Sequence, residues 1–176
     1  KPTEEGTRPL VIPMDLKDVP ILVVDDNKTN RLILEKIVSG FGCEVFKAST
    51  GFEALSILHK KASLGEPVRL VLLDMQMPEM DGERVLKEIK MDPELRSTKV
   101  IILTSMGHRG DAARLEGMGC SAYLLKPVRQ KELFNTILTV LGQEGKAIKK
   151  NTSSLITKHV LNESEREHNS ILLAED

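Results

Sequence analysis

The chain contains no tryptophan, one tyrosine and four phenylalanines, so any core it builds must be aliphatic. Cysteine is nearly as scarce. Cys43 and Cys120 are isolated and match no CxxC spacing. That excludes a disulfide framework and leaves two reduced, partly buried thiols of a cytosolic domain as the expectation. An excess of either charge is also missing: 25 Lys and Arg stand against 26 Asp and Glu, for a formal net charge of −1. With no basic field, nothing points to nucleic acid. No apolar run approaches the roughly 20 residues of a helical membrane span, so no membrane contact is expected of this segment. The first residue is Lys1 rather than Met, and no leader-like stretch follows it. A segment of a longer chain is expected, from a parent that is cytoplasmic or anchored to a membrane elsewhere.

What the chain does have is a globular balance, 40% hydrophobic and 29% charged over 176 residues, enough for one domain and a tail. Residues 1–18 carry Pro2, Pro9 and Pro13 and read as a linker. Five short apolar runs follow: Ile21–Val24, Cys43–Phe46, Leu70–Leu73, Val100–Leu103 and Ala122–Leu125. Four lack alternation, as expected of parallel strands covered on both faces. Between them lie stretches of helical period. One places Ile33, Leu34, Ile37, Val38 and Phe41 on a common face. Others do so with Leu55, Leu58 and Ala62, with Val85, Leu86 and Ile89, and with Leu133, Phe134, Ile137, Leu138 and Leu141. The stretch 108–118 is the weakest helix, with Ala112, Ala113, Leu115 and Met118 to bury. Strands alternating with helices define an α/β domain over residues 19–142. Residues 143–170 are polar and read as a second linker. The chain then closes on Ile171–Asp176, which matches Ile21–Asp26 position for position.

Ligands of an open parallel sheet bind at the carboxyl ends of its strands. The first run ends in Asp25 and Asp26, the third in Asp74, the fourth in Thr104 and the fifth in Lys126. The second, ending in Ala48 and Ser49, contributes nothing evident. Taken singly, these residues read blandly: helix caps, a β-branched strand residue, a solvated lysine. Their joint fall on four strand ends does not. Three crowded carboxylates repel one another, and one lysine cannot neutralise them. A hard divalent cation can, and a site with few carboxylates and room for water and phosphate suits Mg²⁺. A carboxylate is also a nucleophile able to form an aspartyl-phosphate, and Asp74, ending the most apolar strand, is the best candidate.

The ordered set Val24-Asp25-Asp26-Asn27, Leu73-Asp74 with Pro78 and Met80-Asp81-Gly82, Leu103-Thr104-Ser105 and Leu125-Lys126-Pro127 resembles the CheY-like receiver domain of response regulators. The resemblance implies a flavodoxin-like five-stranded parallel sheet of order 2-1-3-4-5 with five helices. It implies Asp74 as phosphoacceptor, and Asp25, Asp26, Asp74 and the backbone carbonyl of Gln76 as Mg²⁺ ligands. It further implies Thr104 and Lys126 as phosphoryl contacts, Thr104 and Tyr123 as a switch pair, and a cis Lys126–Pro127 bond. Partners would be a histidine kinase transmitter domain, a histidine phosphotransfer domain, or both. Asn27 with Asn30-Arg31 resembles receivers of hybrid sensor histidine kinases. Ile171–Asp176 would then be the truncated first strand of a second receiver. The competing reading is a Mg²⁺-dependent phosphatase acting through an aspartyl-phosphate. It would want an acid two positions after the nucleophile, where this chain has Gln76.

Overall fold

The computed structural model describes residues 16–105 and 110–142. Apart from residues 16–18, the expected linkers lie outside the described residues, as does the Ile171–Asp176 strand. Within them, β1 (Pro20–Val24), β2 (Glu44–Ala48), β3 (Leu70–Asp74), β4 (Lys99–Thr104) and β5 (Ala122–Leu125) alternate with helices. These are α1 (Lys28–Gly40), α2 (Gly51–Ser63), α3 (Gly82–Met91), α4 (Asp111–Gly117) and α5 (Gln130–Gly142). The strands form one parallel sheet of order β2-β1-β3-β4-β5, the order the resemblance implies.

The strands explain their own composition. Successive residues of a strand face opposite sides of the sheet. Leu22, Val24, Val71, Leu73 and Ile102 therefore pack with Ala54, Leu58, Val85, Leu86, Ile89 and Leu115 from α2, α3 and α4. Ile21, Val23, Leu70, Leu72, Ile101 and Leu103 pack with Leu34, Val38, Leu133 and Ile137 from α1 and α5. Both faces are covered, so β3 is buried along its whole length. Only β2, at the sheet edge, leaves Glu44 and Lys47 exposed. Both cysteines are buried and unbridged, and burial pushes each thiol up to about 11.

Helix starts follow their caps. Asn27 accepts from the N–H groups of Thr29 and Asn30, Thr50 from Glu53, and Asp81 from Arg84. Gly82 has a second reason to be glycine, because a Cβ there would collide with the Asp74 carbonyl oxygen and lie 2.9 Å from Met75 Cα. The β3–α3 loop thus folds tightly under Asp74. Met77 and Met80 bury themselves in the core from this loop, as packing rather than as a site.

Three local readings differ from expectation. Ile33 is 52% exposed, while the rest of its expected face holds: Leu34 and Val38 are buried, with Ile37 and Phe41 packed beside them. A 3.6-residue period cannot decide between adjacent positions at the margin of an apolar stripe. Residues before 19 also pack onto the domain, since Leu16 is buried in one cluster with Val19 and Ile21, and Asp18 donates its N–H to the Gly42 carbonyl. Finally, α4 is seven residues long and buries only Leu115. Its N-cap is Gly110, at φ +99°, without a side-chain cap bond. Two ion pairs on its outer face add little: Arg114 meets Glu83 of α3 and, at 3.2 Å, Asp111. Amide hydrogen exchange should therefore find α4 the least protected of the described helices, with opening well below the global unfolding free energy. Protection at 111–117 equal to that of α3 would contradict this.

Candidate functional site

Each of the four strand ends delivers its side chain to one edge. Asp25 follows β1 and is fully buried, Asp26 next to it is exposed, and Asp74 closes β3 with 5% exposure. One oxygen from each of the three carboxylates lies within 4.8 Å of the others. Lys126, just past β5, donates to both buried acids, at 3.0 Å to Asp25 Oδ2 and 2.9 Å to Asp74 Oδ1. Its backbone N–H donates to the Thr104 carbonyl at 2.8 Å, which ties the ends of β4 and β5 together. The Lys126–Pro127 peptide is cis.

The electrostatics are those of a crowded, half-dry pocket. Burial pushes the Asp74 carboxyl above its ordinary range, and the charge of Asp25 adds to that, while the bond and charge of Lys126 pull against it. On Lys126, burial pulls the pKa down. The bonds and charges of Asp74 and Asp25 outweigh it and leave the ammonium above its usual value. One ammonium against three carboxylates leaves an excess of negative charge on an all-oxygen donor set. Asp26, at the exposed rim, leaves that set open to water. Such a set fits Mg²⁺, which keeps several waters and takes few carboxylates.

The neighbours of the acids come from α1 and the β3–α3 loop. Gln76, itself exposed, donates its N–H to Asp74 Oδ1 at 3.3 Å. Asn27 donates its N–H to Asp25 Oδ1 at 2.9 Å. Thr104 is buried at the end of β4. Tyr123 pairs in register with Ile102. Alternation puts Thr104 on the same face as Ile102, the face against which Tyr123 packs, half-buried. All the site residues expected from the sequence are thus brought to this edge, with Tyr123 one step behind it.

Sequence reasoning missed two things. Asn30 and Arg31 were read only as a family resemblance, yet both reach back to the acids. Asn30 Nδ2 lies 3.3 Å from Asp25 Oδ2, and Arg31 Nη1 lies 2.6 Å from the Asp25 carbonyl and 2.9 Å from that of Asp26. Their spacing of three and four residues from the N-cap Asn27 was the available signal. Ala48 is the other: its carbonyl accepts the N–H of Asp25 at 3.3 Å, so β2 contributes backbone support after all. A cavity of about 250 Å³ lies beside the acids, lined by Lys28, Arg31, Lys47 and Glu53 among others. None of the three acids lines it, so the chemistry belongs to the carboxylate cluster and not to the cavity.

A sheet of this order with acids on the ends of its first and third strands defines the receiver class. The chain belongs to the response regulator receiver domain family, whose model matches residues 21–138. It is 33% identical over 122 residues to the polar-differentiation response regulator DivK of Brucella ovis, covering 69% of this chain and 95% of that protein. Among solved structures it is similar to a response regulator receiver domain from Clostridium thermocellum, at 31% identity and a TM-score of 0.63, over 72% of this chain and 96% of that one. It is also similar to the signal receiver domain of a signal transduction histidine kinase from Syntrophus aciditrophicus. That match has 28% identity and a TM-score of 0.62, over 76% of this chain and 98% of the other.

Asp26 separates the metal from the fold, because it is exposed while its charge adds to the crowding. Asp26→Asn should weaken Mg²⁺ binding about tenfold or more in titration calorimetry. Without metal it should raise the melting temperature by about 2–4 °C, the shift of roughly 1 kcal/mol at this chain length. Unchanged affinity would remove Asp26 from the ligand set.

Proposed function

We propose that this receiver accepts a phosphoryl group from a phosphohistidine onto Asp74 and passes the event to a protein-interaction surface. One observation carries the reading: Asp74 ends a fully buried strand with its Oδ1 held by Lys126, beside two further acids. In the transfer, the P–N bond of the donor breaks and a P–O bond to an Asp74 oxygen forms. The imidazole, protonated on its other nitrogen, leaves neutral. Bound Mg²⁺, held by Asp25, Asp26, Asp74 and the Gln76 carbonyl, would offset the charge of the incoming phosphoryl oxygens. Lys126 and the Thr104 hydroxyl would hold the remaining oxygens. Once Asp74 carries the phosphoryl group, the Thr104 hydroxyl turns toward it and Tyr123 moves inward along the shared face, altering α4, β5 and α5. Donors are histidine kinase transmitter domains or histidine phosphotransfer domains, which places the domain in the cytoplasm. The domain catalyses its own phosphorylation and is otherwise a signalling module. Gln76, in the place where a phosphatase wants an acid, counts against turnover of substrates. Among the described residues no helix is long and apolar enough to cross a membrane.

The parent, in this reading, is a hybrid histidine kinase with tandem receivers. The Asn27, Asn30 and Arg31 pattern supports it, as does the match of Ile171–Asp176 to Ile21–Asp26.

Intact mass after incubation with a small phosphodonor and Mg²⁺ tests the acceptor. The native chain should gain one phosphoryl group and Asp74→Asn none, with its circular dichroism unchanged. Hydrogen exchange with a phosphoryl mimic should show changes at α4, β5 and α5; changes restricted to residues 27–66 would sink the switch assignment. Removing residues 145–176 should move the melting temperature by no more than about 2–4 °C, equivalent to roughly 1 kcal/mol. A larger loss would assign the tail to this domain and end the second-receiver reading.

A further inference from the structure

We infer that Arg31, assisted by Asn30, is a positioning residue that sets the affinity of the acidic site for its cation. The inference rests on the metal reading above. It starts from where the acids sit. Asp25 and Asp26 lie between β1 and α1, past the last strand residue and before the first helical one. Neither regular element fixes both peptide planes there. Asp25 N–H is held by the Ala48 carbonyl, and the Asp25 and Asp26 carbonyls need donors of their own.

Arg31 supplies both from one atom. Its Nη1 carries two N–H bonds, and the two carbonyls lie 2.6 Å and 2.9 Å away. The side chain comes from the helix turn after the Asn27 cap, and its own N–H bonds the Asn27 carbonyl at 3.0 Å. The clamp is therefore anchored on a rigid element rather than on the loop it holds. Once the two peptide planes are fixed, the direction of each Cα–Cβ bond at residues 25 and 26 is fixed too. That matters most for Asp26, whose carboxylate is exposed and has no burial to orient it. Asn30 acts on the other acid directly, through Asp25 Oδ2 at 3.3 Å and Oδ1 at 3.4 Å. The amide satisfies carboxylate lone pairs without adding charge, so it orients Asp25 without competing with the cation.

A guanidinium near a cation site has two opposed effects. Its charge repels Mg²⁺, and its clamp preorganises the ligands. The Nη1 charge is shared with two carbonyls, on the main chain and not on the carboxylates, so the clamp should win. Outer-sphere partners of metal ligands are commonly worth about 10–100-fold in affinity.

The test is Mg²⁺ titration calorimetry on the full chain, native and variant, well below the melting temperature, beside metal-free melting curves. Arg31→Ala should weaken Mg²⁺ binding by about tenfold, at the low end of that range. Arg31→Lys keeps the charge but cannot present two N–H bonds in a fixed fork, and should weaken it by about threefold. Asn30→Ala should fall between native and Arg31→Ala. A residue that merely supports the fold would lower the melting temperature and leave the Mg²⁺ affinity where it was. Native affinity in Arg31→Ala, or tighter binding once the guanidinium charge is gone, overturns the inference. If Arg31→Ala does not fold, Arg31→Lys decides the matter, and native affinity there overturns it equally. Should the native chain itself bind no Mg²⁺, the metal reading falls and takes this inference with it. Should only the variants match the native chain, the metal reading stands and the clamp alone is lost.

Discussion

Lys126 Nζ sits between two buried carboxylates, 3.0 Å from Asp25 and 2.9 Å from Asp74, and most of the architecture serves that arrangement. Three carboxylates at one edge repel, and burial of two of them removes the water that would screen the repulsion. The fold tolerates this because the acids are carried by its stiffest parts. β1 and β3 are adjacent, central and covered on both faces. Asp74 ends β3 itself and Asp25 directly follows β1, so much of the cost of crowding is spread over a large aliphatic core. Lys126 approaches from β5, whose end is fastened to β4 through the Thr104 carbonyl. A cation would relieve what Lys126 offsets only in part, so the metal-free domain is held together against its own site.

That division of labour decides what could be read from the sequence. Strands buried on both faces must be continuous aliphatic runs, and a parallel sheet must gather its ligands at the carboxyl ends. Asp25, Asp74, Thr104 and Lys126 were therefore visible as the first polar residues after such runs. Asp26 was visible beside Asp25 at the same run end, whereas Gln76 came from the resemblance alone. The strand order, by contrast, came from resemblance, because spacing does not say which strands pair. Other features escaped for geometric reasons. Arg31 reaches two carbonyls five and six positions back, and its spacing from the Asn27 cap does not by itself say that the side chain folds back onto the turn. Ala48 acts through its carbonyl, which every residue type possesses. Ile33 was assigned to the core because adjacent positions at the stripe edge look alike until a partner surface is known.

Glycine at position 82 shows how closely the fold and site are joined. α3 can begin there only because its first residue has no Cβ to meet the Asp74 carbonyl. The helix cap at Asp81, the buried Met80 and the tight loop under Asp74 are one object. Packing in this loop positions Asp74, while hydrogen bonds from α1 brace Asp25 and Asp26. The two halves of the site thus rest on different helices and on different forces. Lys126, bonded to both Asp25 and Asp74, is what couples them.

The shortness of α4 bears on background output. A helix with one buried side chain and no side-chain cap bond at its N-terminus has little packing to hold it in a single arrangement. With a gap of about 1.4 kcal/mol, roughly one molecule in ten would sit in the other arrangement at rest. At about 2.8 kcal/mol the fraction drops to about one in a hundred. A receiver with so lightly fastened a helix needs little input to turn over its population. If α4 belongs to the output surface, as proposed above, that resting fraction would set a standing level of response and so the dynamic range open to a downstream partner.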